Sequence, residues 1–508
     1  MASLRLSILL LSVTALAQQR LDIDAVAGRT LKEFQVPGIA VGVVADGRVV
    51  LAKAYGVLKA GETKRVTTKT LFQIASNTKA FTSAALAILV DEKKVSWDDR
   101  VVDIVPEFQM SDPYVTREMR VRDLLCHRSG LGLGAGDLLF FPDSELSTPE
   151  FLRHLRFVPL ATSFRSSYAY DNVLYVAAGQ VIEEVSRQPW GEFIKQRIFR
   201  PLGMNETRVR SSEVQPTDEV AAPHVPVAGK LQTIAISKLG VSDPAGSIMS
   251  SIDDMTRWIE VQLAGGKPLF SPRQQKEMWT PHIFVPIPDE YPKQLETLRP
   301  HWSAYGLGWF LNDYRGRRVV FHTGGLNGMV TRVTLVPEAK LGIVVLTNQQ
   351  AGGAFNALTM AILDQYLGTG NTDWVSAYGQ VAKEREEKSR KTVAEAAAHR
   401  AAESKPSLPL GKYAGVYRDP WYGDVSIREE GGKLAMSFSH SPSLSGTLEH
   451  FQYDTFIARW HDRSLDADAY VTFALKPDGS IRDVRMEPVS PSTDFSFDFQ
   501  DLDLRPVK

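Results

Sequence analysis

Ser76 and Lys79 are the residues of this chain best placed to do chemistry. They open an apolar run, residues 80–90, with the length and composition of a buried helix. Positions i and i+3 share a helical face, so the lysine sits one turn below the serine. A serine at a helix N-terminus sees the positive end of the backbone dipole, which favours a developing alkoxide. The same field disfavours a charged amine, so Lys79 can lose its proton and act as a base. Taken alone, Ser-x-x-Lys turns up by chance on the order of once in a chain of this length. A helix cap followed by a surface lysine would read the same way.

Two later groups add to it. Tyr170-Asp171-Asn172 lies where the chain enters a second helical run, beginning near Val173. A phenol beside an ammonium can be drawn toward phenolate and carry a proton to a leaving group. The Asn172 amide can orient both a lysine and a substrate carbonyl. His322-Thr323-Gly324-Gly325 ends a β-rich run. Glycines there let a substrate backbone come close. The Gly325 N–H, paired with that of Ser76, would make a two-donor oxyanion hole.

These residues need a scaffold. Residues 38–45 and 48–55 are β-rich runs joined at Asp46-Gly47, a strong hairpin signal. Three more strands are expected over residues 317–322, 329–336 and 341–346, with helical patterns filling the middle and following the last strand. Strands from both ends enclosing helices predict an antiparallel sheet and an inserted helical lobe over residues 18–368. Residues 369–405, charged and alanine-rich, read as a solvated helical linker. Residues 406–508 carry about eight short strands, including one over 495–499, and predict a small β-barrel. With the chemistry complete before residue 330, the barrel is expected to supply no catalytic group.

The order of the three groups, Ser76-x-x-Lys79, Tyr170-x-Asn172 and His322-Thr323-Gly324, resembles the layout of serine β-lactamases and penicillin-binding D,D-peptidases. Tyr-x-Asn in second place points to the class C-related branch, the CubicO-group serine hydrolases. Pro37-Gly38-Ile39-Ala40-Val41, residues 121–131, residues 201–204, Ala245-Gly246-Ser247 with Asp253-Asp254-Met255, and residues 305–309 extend the likeness over roughly residues 30–365. The terminal barrel resembles the lipocalin-like domain appended to some of these peptidases. The resemblance implies an α/β (α+β) fold, with a five-stranded antiparallel sheet flanked by helices plus an all-α lobe, and the active site between sheet and lobe. It implies Ser76 as nucleophile, Lys79 and Tyr170 as the proton-handling pair, and Asn172 as orienter. Ser76 and Gly325 become the oxyanion donors, with His322, Thr323 and Gly324 along the substrate.

The expected activity is hydrolysis of a peptide, ester or amide through acyl-Ser76. The alternatives are a true class C-type β-lactamase and a receptor-like module that binds penicillin-type ligands without turnover. At His322 the classical β-lactamases have lysine. A histidine with an ordinary pKa of about 6.5 is mostly neutral at pH 7. It is expected to turn the enzyme away from anionic β-lactams, and to bind a carboxylate only as pH drops through that value. Lys plus Arg is 58 against 59 Asp plus Glu, which gives no reason to expect nucleic acid or an anionic membrane as partner. The expected partner is a small-molecule or peptide substrate.

No metal-ligand spacing or nucleotide-binding glycine pattern occurs, so no cofactor or metal is expected. Cys126, the single cysteine, lies in an apolar context and reads as a small core residue. Residues 6–17 form an uncharged run after Arg5 that ends in Ala15-Leu16-Ala17. Residues 1–17 read as a signal peptide, so export to the periplasm or beyond is expected, with no span in the mature form.

Overall fold

The computed structural model describes residues 21–370 and 372–507. The expected signal peptide lies outside the described residues.

Strands β1 (Gly38–Ala45) and β2 (Arg48–Gly56) form the expected hairpin. Asp46 and Gly47 both take positive φ, 50° and 74°. That conformation matches the right-handed twist of paired strands. Five further strands enter between residues 283 and 336: β3 (Ile283–Phe284), β4 (Ser303–Tyr305), β5 (Phe310–Tyr314), β6 (Arg317–Leu326) and β7 (Met329–Val336). With β8 (Leu341–Thr347) they make one antiparallel sheet of order β2-β1-β8-β7-β6-β5-β4-β3. The five expected strands are its wide half. The short strands β3, β4 and β5 extend the sheet beyond them, too brief to show alternation in the sequence.

Both faces of the sheet are covered. Ile39, Val41 and Val43 enter one core with helices α1 (Ile23–Glu33) and α5 (Gly352–Leu367). Ala40 and Val44 enter the other with α2 (Thr78–Asp91), α3 (Val173–Ser186) and α4 (Ile252–Leu263). Every residue of α2 from Thr78 to Leu89 is buried. A helix apolar on all sides belongs at the centre of a domain, and this one fixes the depth at which Ser76 and Lys79 sit.

Helix α6 (Trp374–Ala398) occupies the expected linker, and its first turns are not solvated. Trp374, Val375 and Val381 are buried, and the Trp374 indole donates to Asp364 at 2.8 Å. The charged stretch beyond them faces water. No helix among the described residues is long and apolar enough to cross a membrane.

The C-terminal strands are β9 (Gly415–Asp419), β10 (Gly423–Glu430), β11 (Lys433–Phe438), β12 (Ser445–Gln452), β13 (Thr455–Trp460), β14 (Ala469–Leu475), β15 (Ile481–Pro488) and β16 (Arg505–Pro506). They pair in order from β15 to β9, and β16 joins at β9. A bridge between Val484 and Leu504 links the two ends, so the barrel is nearly closed. Tyr413, Phe456, Phe473 and Trp460 are buried in the barrel core.

The strand expected over residues 495–499 does not form. This segment is a loop running into a short 3₁₀ turn, Phe499–Asp501. Phe497 and Phe499 stack at 5.7 Å and are buried, while the alternate residues bond to the other domain. Asp498 accepts from the N–H groups of Gly136 and Leu138, at 2.6 and 3.1 Å. Alternation of apolar and polar residues here records two buried sides, not a pleat.

Candidate active site

Ser76 lies in a 3₁₀ turn, Ala75–Asn77, that leads directly into α2. Ala75 holds a φ of 48°. A non-glycine residue in this region carries strain, which proteins retain where position matters. Strand β6 runs alongside the turn. A Cβ on Gly324 would come within 2.1 Å of the Ile74 carbonyl oxygen, so only glycine lets the strand approach the serine turn. A Cβ on Gly325 would meet nothing. The two glycines therefore differ in purpose: Gly324 admits the protein's own backbone, and Gly325 opens onto the cavity.

Lys79 is fully buried. Its Nζ donates to Ser76 Oγ at 3.0 Å, to Asn172 Oδ1 at 2.7 Å and to the Ala245 carbonyl at 3.1 Å. Three acceptors match the three protons of an ammonium. Burial nevertheless pushes the amine down to about 7, opposed by the negative charges of Asp137 and Asp171. A base poised near neutrality suits proton transfer at physiological pH.

Tyr170 packs its ring 4.9 Å from Lys79 Nζ, and its hydroxyl interacts with Ser76. Burial raises the phenol well above its ordinary value, and the contact with Ser76 only partly opposes this. The expected drift toward phenolate does not occur, because desolvation outweighs the neighbouring amine. Tyr170 is a neutral donor and acceptor here, and Lys79 is the group able to shed a proton.

Asn172 closes this arrangement from the position just before α3. Its Nδ2 donates to Asp137 Oδ2 at 2.8 Å while its Oδ1 faces Lys79. Asp137 also accepts from Ser496 Oγ at 2.8 Å, and burial raises its carboxyl to about 8. The sequence reading missed Asp137 and Ser496. An aspartate in a glycine-rich loop and a serine 359 positions away leave no joint signal in one sequence.

His322 is buried and both its ring nitrogens are engaged. Nδ1 lies 2.6 Å from the Thr323 carbonyl, which can only accept, so it carries the hydrogen. Nε2 then accepts from the Tyr305 hydroxyl at 2.8 Å. Burial and the nearby Lys79 hold the ring well below its usual pKa. The expected gain of charge near pH 6.5 is thus overturned. Cys126 is buried, with its thiol pushed up by burial.

These groups line one cavity of about 380 Å³. Ser76, Tyr170, Asn172, His322, Thr323 and Gly325 contribute from the serine turn, the entry to α3 and strand β6. Phe140 and Phe141 come from the loop before residue 164, and Phe310 and Tyr168 complete an aromatic wall. Asp494, Phe495 and Ser496 enter from the C-terminal region. The region expected to supply no catalytic group thus supplies part of the cavity wall. Among the described residues, no group of three or more His, Cys, Asp or Glu side chains could hold a metal ion.

A sequence profile of the Beta-lactamase family matches residues 17–367. The chain belongs to that family. A second profile, a domain of unknown function (DUF3471), matches residues 399–506. The unguisins hydrolase of Aspergillus campestris is 28% identical over 481 residues, covering 90% of this chain and 88% of that protein. Protein flp of Staphylococcus aureus is 26% identical and covers 64% of this chain and 62% of its own length. Among solved structures, the octameric penicillin-binding protein homologue from Pyrococcus abyssi has a TM-score of 0.61 at 23% identity, covering 92% of this chain and 98% of that one. SurE with D-Leu gives 0.53 at 18% identity, covering 96% and 98%. Both structures share the fold of this beta-lactamase family member through its C-terminal barrel.

Proposed function

We propose that the chain is an exported serine hydrolase of the class C-related branch, acting on peptides, amides or esters through an acyl-Ser76 intermediate. One observation carries the reading: the buried Lys79 amine, pushed down to about 7, lies 3.0 Å from Ser76 Oγ. Neutral Lys79 takes the Ser76 proton as Oγ bonds to the substrate carbonyl carbon. The carbonyl electrons move to oxygen, toward the N–H groups of Ser76 and Gly325. Collapse expels the amine or alkoxide, which takes its proton from the Lys79 ammonium by way of Tyr170. Water then attacks the acyl ester, gives a proton to the same pair, and releases Ser76.

The cavity lining supports uncharged or amine-bearing substrates over anionic β-lactams. Among the described residues lining it are no lysine and no arginine, and Asp494 supplies a carboxylate. The relative named as an unguisins hydrolase supports hydrolysis as the reaction. Export rests on residues 6–17.

An active-site-directed fluorophosphonate tests the assignment. Digestion and mass spectrometry should place the adduct on Ser76, and Ser76→Ala should abolish labelling. An adduct elsewhere, or labelling that survives the substitution, rejects Ser76 as nucleophile. Burst kinetics with an ester substrate should show continued turnover after the first equivalent. Release of one equivalent followed by arrest would favour the receptor-like alternative.

A further inference from the structure

The C-terminal loop does more than wall the cavity. Ser496 Oγ donates to Asp137 Oδ2, Asn172 Nδ2 donates to the same oxygen, Asn172 Oδ1 accepts from Lys79, and Lys79 donates to Ser76. All the residues of this path outside the nucleophile's turn are buried. We propose that Ser496, a residue of the C-terminal barrel region, is a positioning residue for the catalytic amine, acting through Asp137 and Asn172.

The chemistry of the donors explains why. An amide can present either its oxygen or its NH₂ group, and the two ends have nearly the same shape. Asp137 Oδ2 accepts from both Asn172 Nδ2 and Ser496 Oγ, as a carboxylate or as the carbonyl oxygen of an acid protonated on Oδ1, so it fixes the Asn172 NH₂ toward itself and leaves the amide oxygen to Lys79. A proton on Oδ2 would lose that discrimination, and the two donors that meet there keep it off. Its carboxyl is desolvated, and both Asp494 and the Lys79 amine bear on its charge. Asp498 stands close enough to repel it. Against that repulsion, the Ser496 hydroxyl and the Asn172 amide are the two donors that favour the anion. Ser496 is held in turn by its own loop, where its N–H donates to Asp494 Oδ1 at 2.9 Å. Docking across the domain boundary is firm at this point. Asp498 is bonded to the backbone on either side of Asp137, and the Phe141 and Phe497 rings meet at 4.9 Å.

The groups facing Lys79 set the direction of the effect. Asp137 and Asp171 favour its charged form, while burial disfavours it. Tyr170 and Tyr175 present their rings, and Ser76, Asn172 and the Ala245 carbonyl accept its protons. His322 stays neutral. Losing the Ser496 hydroxyl leaves Asp137 protonated to a higher pH. Where the two titrations overlap, between about 7 and 8, less negative charge then faces Lys79, and the amine gives up its proton at a slightly lower pH.

The inference rests on Ser76 and Lys79 as nucleophile and base. Its test is the rate of fluorophosphonate labelling of the full chain from pH 5 to 10. Ser496→Ala should lower the plateau rate by about tenfold, the scale of a lost hydrogen bond to a charged group. It should also move the acid limb of the profile to lower pH. Ser496→Thr, which keeps the hydroxyl, should restore both. If Ser496→Ala fails to fold by circular dichroism, Asp137→Asn is measured instead. It keeps the shape, removes the charge, and should shift the limb in the same direction. A folded Ser496→Ala protein with an unchanged profile overturns the proposal. So does a slower plateau with the limb unmoved, which marks a merely structural contact. Undiminished labelling of Ser76→Ala is a different failure, that of the nucleophile assignment itself.

Discussion

Asp123 and Asp137 are both buried within the beta-lactamase region, and the protein treats them in opposite ways. Asp123 receives two guanidinium groups, Arg128 at 2.8 Å and Arg165 at 2.5 Å, and a backbone N–H from Arg120. Its carboxyl is held below the usual range despite burial. Asp137 receives only neutral donors, and its carboxyl rises to about 8. Burial is common to both, so burial alone does not decide the charge of a carboxylate. The partners decide it, and they divide the two sites by purpose. A charge neutralised on the spot ties elements together. A carboxyl left without a counter-charge holds its proton to about pH 8 and remains adjustable, and this one stands one amide away from Lys79.

The largest expected effect comes from the adjustable side. Lys79→Met, which keeps the bulk and removes the base, should slow turnover by about a hundred- to ten-thousandfold. Thermal melting should hold or rise, since a desolvated amine is removed. A matching collapse in melting temperature would mean that Lys79 chiefly supports the fold.

Asp123→Ala should behave in reverse. Leaving Arg128 and Arg165 without their buried partner should cost about 3–5 kcal/mol in urea unfolding. The remaining folded fraction should still label at Ser76 at the normal rate. Loss of labelling with unaltered stability would erase the contrast between the two aspartates.

The same contrast predicts opposite pH slopes. Asp123 has a folded pKa below its unfolded one, so its contribution is present above the unfolded value of about 3.9 and is lost as pH falls through the folded value. Asp137 is raised to about 8, so the folded state binds its proton more tightly. Its contribution is full below about pH 4 and is lost as pH rises toward 8. Asp137→Asn should therefore flatten a decline in stability between pH 5 and 8, read by urea unfolding. An unchanged slope would show that Asp137 titrates normally.

The smallest effect concerns His322. With both nitrogens engaged and the ring held neutral, KM for an anionic substrate and for its neutral ester should run parallel from pH 5 to 8. Divergence below pH 6.5 would show that the ring charges after all.

Much of this was legible in the sequence. The Asp46-Gly47 turn, the strands on either side of it and the apolar helix after Ser76 are local patterns, and local patterns survive in one chain. Ser76, Lys79, Tyr170 and Asn172 could be named because their order along the chain is itself a signal. Desolvation was not legible. It keeps Tyr170 protonated and His322 neutral, and it depends on everything packed around them. Nor was Asp137, whose role exists only once Ser496 arrives from the far end of the sheet order. The loop at 495–499 misled for a related reason: its alternation looked like a strand while its polar residues were reaching into another domain.

The hydrogen bond between Ser496 and Asp137 joins residues 359 positions apart. A chain made at about 5–20 residues per second reaches Ser496 roughly 20 to 70 seconds after Asp137. Through that interval the helix of Ser76 and the sheet beside it can already be in place, while the outer end of the polar path is missing. The order of synthesis thus puts the serine turn first and its distant hydrogen-bond partner last, and the proposed site would be completed from the inside outward.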